Sequence, residues 1–293
     1  FQQEYEKASI NEHVFLLRCN KNISYKFLFY ILRTPIFQKI LAPYIQGIIG
    51  GINLSIKEIE IPLPPNIVQQ QIVNEIEGYQ KIIDGCRKVI DNYKLTIDID
   101  PSWELVELDK VLEKITDGSH FSPKTIESGH PYVTVKDLKD GEIDLANSKR
   151  ISTEDYEKLL KSGCRPKRND VLFSKDGTVG KTAIIKENID FVVLSSLAIL
   201  TPNIKLINPL FLYHFLSTER FINEAIDNKT GVAIRRIVLK TLKTIKIPLP
   251  NLSIQQENIN DIEFEKNLIL GNKKLIEIYN QKIKDRINEV WAD

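Results

Sequence analysis

Ile61-Pro62-Leu63-Pro64 returns as Ile247-Pro248-Leu249-Pro250, 186 residues further on. The same offset, without a gap, carries Gln69-Gln70 onto Gln255-Gln256, Ile76-Glu77 onto Ile262-Glu263 and Gly85 onto Gly271. It also carries Lys88 onto Lys274, Ile90 onto Ile276 and Tyr93 onto Tyr279. Upstream the offset is 184: Phe27-Leu28 matches Phe211-Leu212, Leu32 matches Leu216, Thr34 matches Thr218, Phe37 matches Phe221 and Gly47 matches Gly231. A two-residue change of loop length after the glycine accounts for the switch. One tetrapeptide recurs by chance, but a co-linear series of this extent is a duplication. The period is far longer than a solenoid repeat, so each copy is a whole domain plus a connector. Phe1 falls level with Ile185. The first copy is therefore expected to begin inside its domain and to lack the counterpart of Trp103–Ile184. The chain has no methionine, so its natural start is expected upstream of Phe1.

Each copy ends in an expected long helix. Ile-Pro-Leu-Pro itself cannot be helical, because proline removes a donor and holds its predecessor extended. Beyond it, Ile72, Ile76, Tyr79, Ile83, Cys86, Ile90, Tyr93 and Ile97 are spaced alternately four and three apart, a heptad seam. In the second copy Ile262, Ile269, Ile276, Ile283 and Val290 recur every seven residues. Two related amphipathic helices of about thirty residues, roughly 45 Å long, need a partner, and the nearest is each other. Antiparallel packing as a rigid spacer is expected, with Ile83, Ile90 and Tyr93 of the first helix facing Ile269, Ile276 and Tyr279 of the second. Gly85 and Gly271 cost helix propensity at matching places, which suggests close backbone approach there.

Between the helices, Trp103 to Leu252 reads as mixed α/β. Tyr132–Val135, Val171–Ser174 and Phe191–Leu194 are rich in β-formers and bounded by Gly, Asp or Asn. Thr153–Leu160 and Pro209–Ala225 look helical, with starts at Ser152 or Thr153 and at Asn208-Pro209. The resulting fold class is α+β: tandem mixed α/β domains separated by two long antiparallel coiled-coil helices. The boundaries are 1–66 for the end of the first domain, 67–99 for the first spacer helix, 100–252 for the second domain and 253–293 for the second spacer helix.

Composition is that of a water-soluble globular chain, 27% charged and 42% hydrophobic. A net charge of +1 says nothing about nucleic acid, so any such signal must be local. It is: Lys158, Lys161, Arg165, Lys167, Arg168, Lys175, Lys181 and Lys186 stand against only Asp170 and Asp176 in that stretch. Lys229, Arg235, Arg236, Lys240, Lys243 and Lys246 follow with no acid among them. Such concentration is what a phosphate-binding face requires, although charge runs are also ordinary solvated surface. With three scattered cysteines, no signal-peptide layout and no span-length apolar run, the cytoplasm, away from membranes, is the expected location.

The second domain resembles a known family. Pro101, Trp103 and Leu108 open it, followed by Asp117-Gly118-Ser119-His120, Val135-Lys136-Asp137-Leu138 and Asp170-Val171-Leu172-Phe173-Ser174-Lys175-Asp176-Gly177-Thr178-Val179-Gly180. With Ile-Pro-Leu-Pro and Gln-Gln before a long helix, this is similar to the target-recognition domain and helical region of type I restriction-modification specificity subunits. The resemblance covers essentially the whole chain, as one and a half copies of the domain and both helices. It implies a non-catalytic subunit whose tandem domains each read half of a split site in double-stranded DNA, with the helices setting the gap. It further implies modification (methyltransferase) subunits docked on the helices and ATP-driven restriction subunits for cleavage.

Within that resemblance, Ser119, His120, Lys136, Lys175, Thr178, Lys181, Arg235 and Arg236 are the candidate DNA contacts. Lys175, Thr178 and Lys181 are expected to project from a sheet rim, toward DNA or simply toward solvent. Arg235 and Arg236 follow the loop glycine Gly231, and arginine can hold guanine O6 and N7 together. Gly177-Thr178-Val179-Gly180-Lys181-Thr182 is not a phosphate loop, because Lys175 stands where that motif needs its first glycine. His120 and His130 have no Cys or carboxylate at ligand spacing, so no metal is expected, and no cofactor. The rival reading is an enzyme: the specificity end of a single polypeptide that also carries nuclease and methyltransferase domains.

Overall fold

In a computed structural model, residues 9, 14–46, 51–52, 54–139, 141–227 and 236–292 are described. The chain forms two compact units, Phe1–Tyr93 with Asn267–Asp293, and Lys94–Lys266. The first holds α1 (Tyr25–Leu32), α2 (Pro35–Leu41), the short hairpin strands β1 (Ile45–Gln46) and β2 (Gly51–Ile52), and the long α3 (Asn66–Asn92). The second runs β3 (Glu104–Glu107), β4 (Leu112–Asp117), β5 (His130–Val133), β6 (Leu138–Lys139), β7 (Glu142–Ile143), β8 (Lys149–Ile151), α4 (Thr153–Lys161), β9 (Val171–Ser174), β10 (Thr182–Ile184) and β11 (Val192–Val193). It continues through β12 (Leu197–Pro202), α5 (Pro209–Leu216), α6 (Glu219–Asp227), α7 (Leu239–Thr244) and β13 (Lys246–Leu249) to α8 (Leu252–Ala292), which from Asn267 onward belongs to the first unit.

The second unit is organised by a sheet of order β10-β9-β12-β4, in which every pairing is antiparallel. Both of its faces are covered, so the central strands are apolar throughout rather than alternating. Val171, Phe173, Ala198 and Leu200 face the helices, among Phe211, Phe215, Phe221, Leu242 and Ile259. Leu172, Leu197 and Ile199 face the other way, among Val133, Leu138, Phe191 and Val193. Each such buried side chain contributes about 1.5–3 kcal/mol by removal from water. The second Ile-Pro-Leu-Pro is extended, as expected, and pairs as β13 with β3. The helix expected over Pro209–Ala225 is two. Thr218 breaks it, taking Phe221 N on its hydroxyl while donating to Phe215 O, and Thr34 does the same between Ile31 and Phe37.

In the first unit α3 and the end of α8 run in opposite directions. Tyr79 meets Tyr279 with ring centroids 5.4 Å apart, Glu75 binds Arg286 at 2.8 Å, and Lys282 lies over both tyrosines. Ile72, Val73 and Ile76 close a core with Phe27, Ile31, Ile287 and Val290. Two expectations need correction. The first helix stops at Asn92, with Tyr93 as its cap, and Ile97 lies not on the seam but against the second domain's core. Gly85 and Gly271 do not mark close approach: both face outward, and a Cβ on either would meet nothing within 4 Å.

The repeated glutamines have a structural task that sequence reading missed. Gln69 donates to Pro64 O and Asn22 O and accepts from Ser24 N. Gln255, 186 residues on, donates to Pro250 O and Leu206 O and accepts from Asn208 N. One buried amide thus ties the proline stretch, the long helix and the loop before the packing helix in each copy. Gln255→Ala leaves one buried and two part-buried backbone groups without this partner, and a loss of roughly 1–3 kcal/mol is expected in denaturant unfolding of the second domain. Nearby, the shared glutamate changes partner between copies: Glu77 holds Lys26, whereas Glu263 lies 3.1 Å from the buried His214. Burial pushes His214 down to about 4, assisted by the Lys266 ammonium and opposed by Glu263, so the imidazole there is neutral.

Val14–Leu17 lies level with Ala198–Thr201 of β12. Leu200 is fully buried between sheet neighbours, whereas Leu16 is 58% exposed. No strand pairs with Val14–Leu17 among the described residues.

Candidate nucleic-acid interface

Because β4 and β9 both run antiparallel to β12, their ends emerge side by side. Asp117, the last residue of β4, pairs with Ala198, and Ser174, the last of β9, pairs with Leu197. The loop after β4 folds against the turn before β12, with Ser119 N bonded to Val193 O and Ser195 N to Ser119 O. Gly118 is required in that loop: a Cβ would sit 2.3 Å from the carbonyl oxygens of Val193 and Leu194. The loop after β9 joins the same rim through Lys175 N and Ser196 O. It also reaches the turn after β5, since the Lys181 ammonium donates to Val135 O and Leu138 O. Gly180, at φ +99° and against Ile222, lets the chain turn back into β10.

Three loops therefore converge on one rim, and the candidate residues divide there. His120 (74% exposed), Lys136, Thr178 and Arg236 (51% exposed) face solvent. Ser119 is buried, its hydroxyl bonded to both Phe121 O and Phe121 N. The Tyr132 hydroxyl donates to the same carbonyl, and burial pushes that phenol up to about 12. Lys175 does not project from the rim. Only 3% exposed, its ammonium lies 3.4 Å from Asp117 and 3.4 Å from Asp176. Lys181 is half-buried over the two carbonyls just named. Both lysines are turned inward because backbone and carboxylate oxygens at the strand ends would otherwise be buried without a positive partner. Arg235, like Gly231 and Lys229, lies outside the described residues.

The basic stretches are less one-signed in space than in sequence. Lys158, Arg165, Lys186 and Lys243 are paired with Glu154, Asp190, Glu142 and Asp109. Lys161, Arg168, Lys240 and Lys246 are exposed and form no ion pair among the described residues, while Lys167 is exposed beside Asp170. Asp117 and Asp176, which sequence reading left without a role, are the acids that organise the rim. Asp117 belongs to the Asp-Gly-Ser-His motif, whereas Asp176 reads in the sequence only as an acid within a basic stretch.

A family model, the type I restriction modification DNA specificity domain, matches residues 101–280. The chain belongs to that family. Specificity subunits among its relatives include that of the type I restriction enzyme EcoBI of Escherichia coli, 29% identical over 177 residues, which are 59% of this chain and 36% of the relative. The MjaX specificity subunit of Methanocaldococcus jannaschii, described as putative in its own name, is 27% identical over 219 residues, 69% of this chain and 49% of its own. The specificity chain described here thus spans between about a third and a half of those relatives. A chain from a structure of type I R-M complex assembly and conformational transition is 19% identical with a TM-score of 0.58, over 90% of this chain and 70% of that one. Its likeness supports the fold: mixed helix and sheet with a long terminal helix. Among the described residues no helix is long and apolar enough to cross a membrane.

Proposed function

We propose that the chain is the DNA-recognition subunit of a type I restriction-modification complex, and that the rim of its second domain reads one half of a split site. The carrying observation is the convergence of the loops after β4, β5 and β9, with His120, Lys136, Thr178 and Arg236 exposed on a domain of the specificity family. Exposed lysines and arginines on the same domain supply phosphate affinity, while the rim side chains reach base edges. The chain contributes sequence choice and no chemistry of its own.

The helices serve as spacer and as docking platform for modification subunits. Each carries, besides its inward seam, an outward apolar stripe: Ile82, Gly85 and Val89 on α3, and Leu268, Gly271 and Leu275 on α8, all at matching repeat positions. Spacing of three and four residues around a glycine lets another helix approach closely. Two equivalent stripes fit two copies of one partner. Restriction subunits join such a complex for cleavage.

The test is binding to duplex DNA at several salt concentrations, with a randomised duplex pool to find the enriched half-site. Lys136→Ala with Arg236→Ala should weaken binding to the enriched half-site and relax its sequence preference, lowering the salt slope by about 1 for each of the two that touches a phosphate. Their unchanged slope and affinity would remove the rim from the interface. Failure of the intact chain to enrich any sequence would sink the reading.

A further inference from the structure

An imidazole and four charged groups form a ladder across the rim: His120, then Asp117, Lys175, Asp176 and Arg236. His120 Nε2 lies 3.2 Å from Asp117 Oδ2, and Lys175 Nζ lies 3.4 Å from both Asp117 Oδ1 and Asp176 Oδ2. Asp176 Oδ1 then faces Arg236 Nε at 3.8 Å. From Asp117 to Arg236 the signs alternate, the ammonium of Lys175 is buried, and His120 and Arg236 at the two ends are exposed. The backbone fixes the last rung as well, because Asp176 and Arg236 form an antiparallel bridge and Ile237 N donates to Lys175 O.

We propose that this ladder is a positioning device, in which Lys175 and Asp176 aim Arg236 at a guanine in the DNA major groove. The inference rests on the DNA-reading role proposed above and assigns the base class and the residues that enforce it. Asp176 addresses only the Nε side of the guanidinium. Among the described residues no hydrogen bond engages the two terminal nitrogens. Those form the fork that matches guanine O6 and N7. An unsupported arginine on a surface loop samples many rotamers and pays for ordering on binding, so it follows phosphates as readily as bases. A guanidinium facing a carboxylate at ion-pair distance, on a backbone bridged to the same residue, is biased toward one orientation before the DNA arrives. Asp176 is in turn restrained, because its second oxygen accepts from Lys175 Nζ at 3.4 Å and that ammonium also lies 3.4 Å from Asp117. Lys175 and Asp176 are positioning residues here, and Arg236 is the contact.

Simple electrostatics and positioning predict opposite signs for Asp176→Asn. Removing a negative charge from a DNA-binding face should tighten binding to every duplex. Loss of aim should instead abolish preference at one base pair. The experiment takes the full chain, a randomised duplex pool, and the Asp176→Asn, Arg236→Lys and doubly substituted chains. The unsubstituted chain should enrich a half-site containing guanine. Asp176→Asn should lose preference for one guanine by about tenfold, within the range for one bidentate contact, while its binding to unrelated duplex is unchanged or tighter. Arg236→Lys should lose the same position and keep its salt slope, and the double variant should be no worse than either single one. Thermal unfolding of each variant accompanies the binding, as the readout a purely structural role would move.

Retention of the guanine preference by Asp176→Asn overturns the proposal, as does an equal loss of affinity for all sequences with a lowered unfolding temperature. An enriched half-site without guanine on either strand overturns it too. Enrichment of no sequence by the unsubstituted chain overturns instead the DNA-reading role on which it rests.

Discussion

Ile76→Lys is expected to unfold the helical unit while leaving the second domain folded. Ile76 is fully buried, on α3, in the core it shares with Phe27, Ile31, Ile287 and Val290. Truncating such a side chain alone costs about 2–5 kcal/mol. A lysine there also buries a charge among apolar groups that offer it no partner, so a total of roughly 4 kcal/mol or more is expected, comparable with the whole stability of a small unit. The two tryptophans separate the outcomes. Trp291 packs on this core, and Trp103 belongs to the second unit. In a Trp103→Phe background, urea unfolding followed by Trp291 fluorescence should shift to much lower denaturant or lose its folded baseline. Ile82→Lys, one turn and a half along on the outward face, should move the midpoint little. Equal effects of the two substitutions would mean that the seam is not where the heptad spacing places it.

That seam was legible because a long amphipathic helix repeats its message at every turn, and the duplication states it twice. The tandem α+β plan and the non-helical Ile-Pro-Leu-Pro followed from the same redundancy. The end of the first helix was not legible, for a specific reason. Tyr93 and Ile97 continue the four-residue step of the seam, but Tyr93, Leu95, Ile97 and Ile99 also alternate with Lys94, Thr96, Asp98 and Asp100. Both periods fit until Pro101 forces its predecessor extended, and the alternation wins: those four apolar residues are half-buried and the four polar ones exposed. The glycines misled for a related reason. Spacing identifies a helix face, but it does not say whether that face meets the rest of the chain or is left open.

The candidate interface was legible by region and not by residue. The motifs named the loops that converge, but a lysine in a motif reads the same whether it points out or in. Lys175 points in because Asp117, 58 residues earlier, arrives at the same sheet edge. Only the pairing of β4 and β9 with the strand between them puts those two charges together. The two acids that shape the rim were therefore invisible as such until the sheet order was known.

The largest effect is expected in methyl transfer. The chain alone, given S-adenosylmethionine and duplex DNA carrying its enriched half-site, should transfer no methyl group above background. Addition of a cognate modification subunit should produce transfer, since sequence choice then meets the chemistry. The outward stripes supply the variant that distinguishes docking from DNA reading. Val89→Glu and Leu275→Glu place carboxylates at matching positions on α3 and α8, both exposed in the chain by itself. Solvated there, they should leave its unfolding and its DNA binding nearly unchanged. Against a docked helix each carboxylate is desolvated opposite apolar side chains, at a cost of roughly 3 kcal/mol or more, which is about a hundredfold in affinity per site. Partner-dependent methyl transfer by the doubly substituted chain should fall to the level of the chain alone, at subunit concentrations that saturate the unsubstituted one. Pull-down of the modification subunit should fail in parallel. Full transfer by that variant would move the docking surface off the stripes, and transfer by the unaccompanied chain would refute its non-catalytic role.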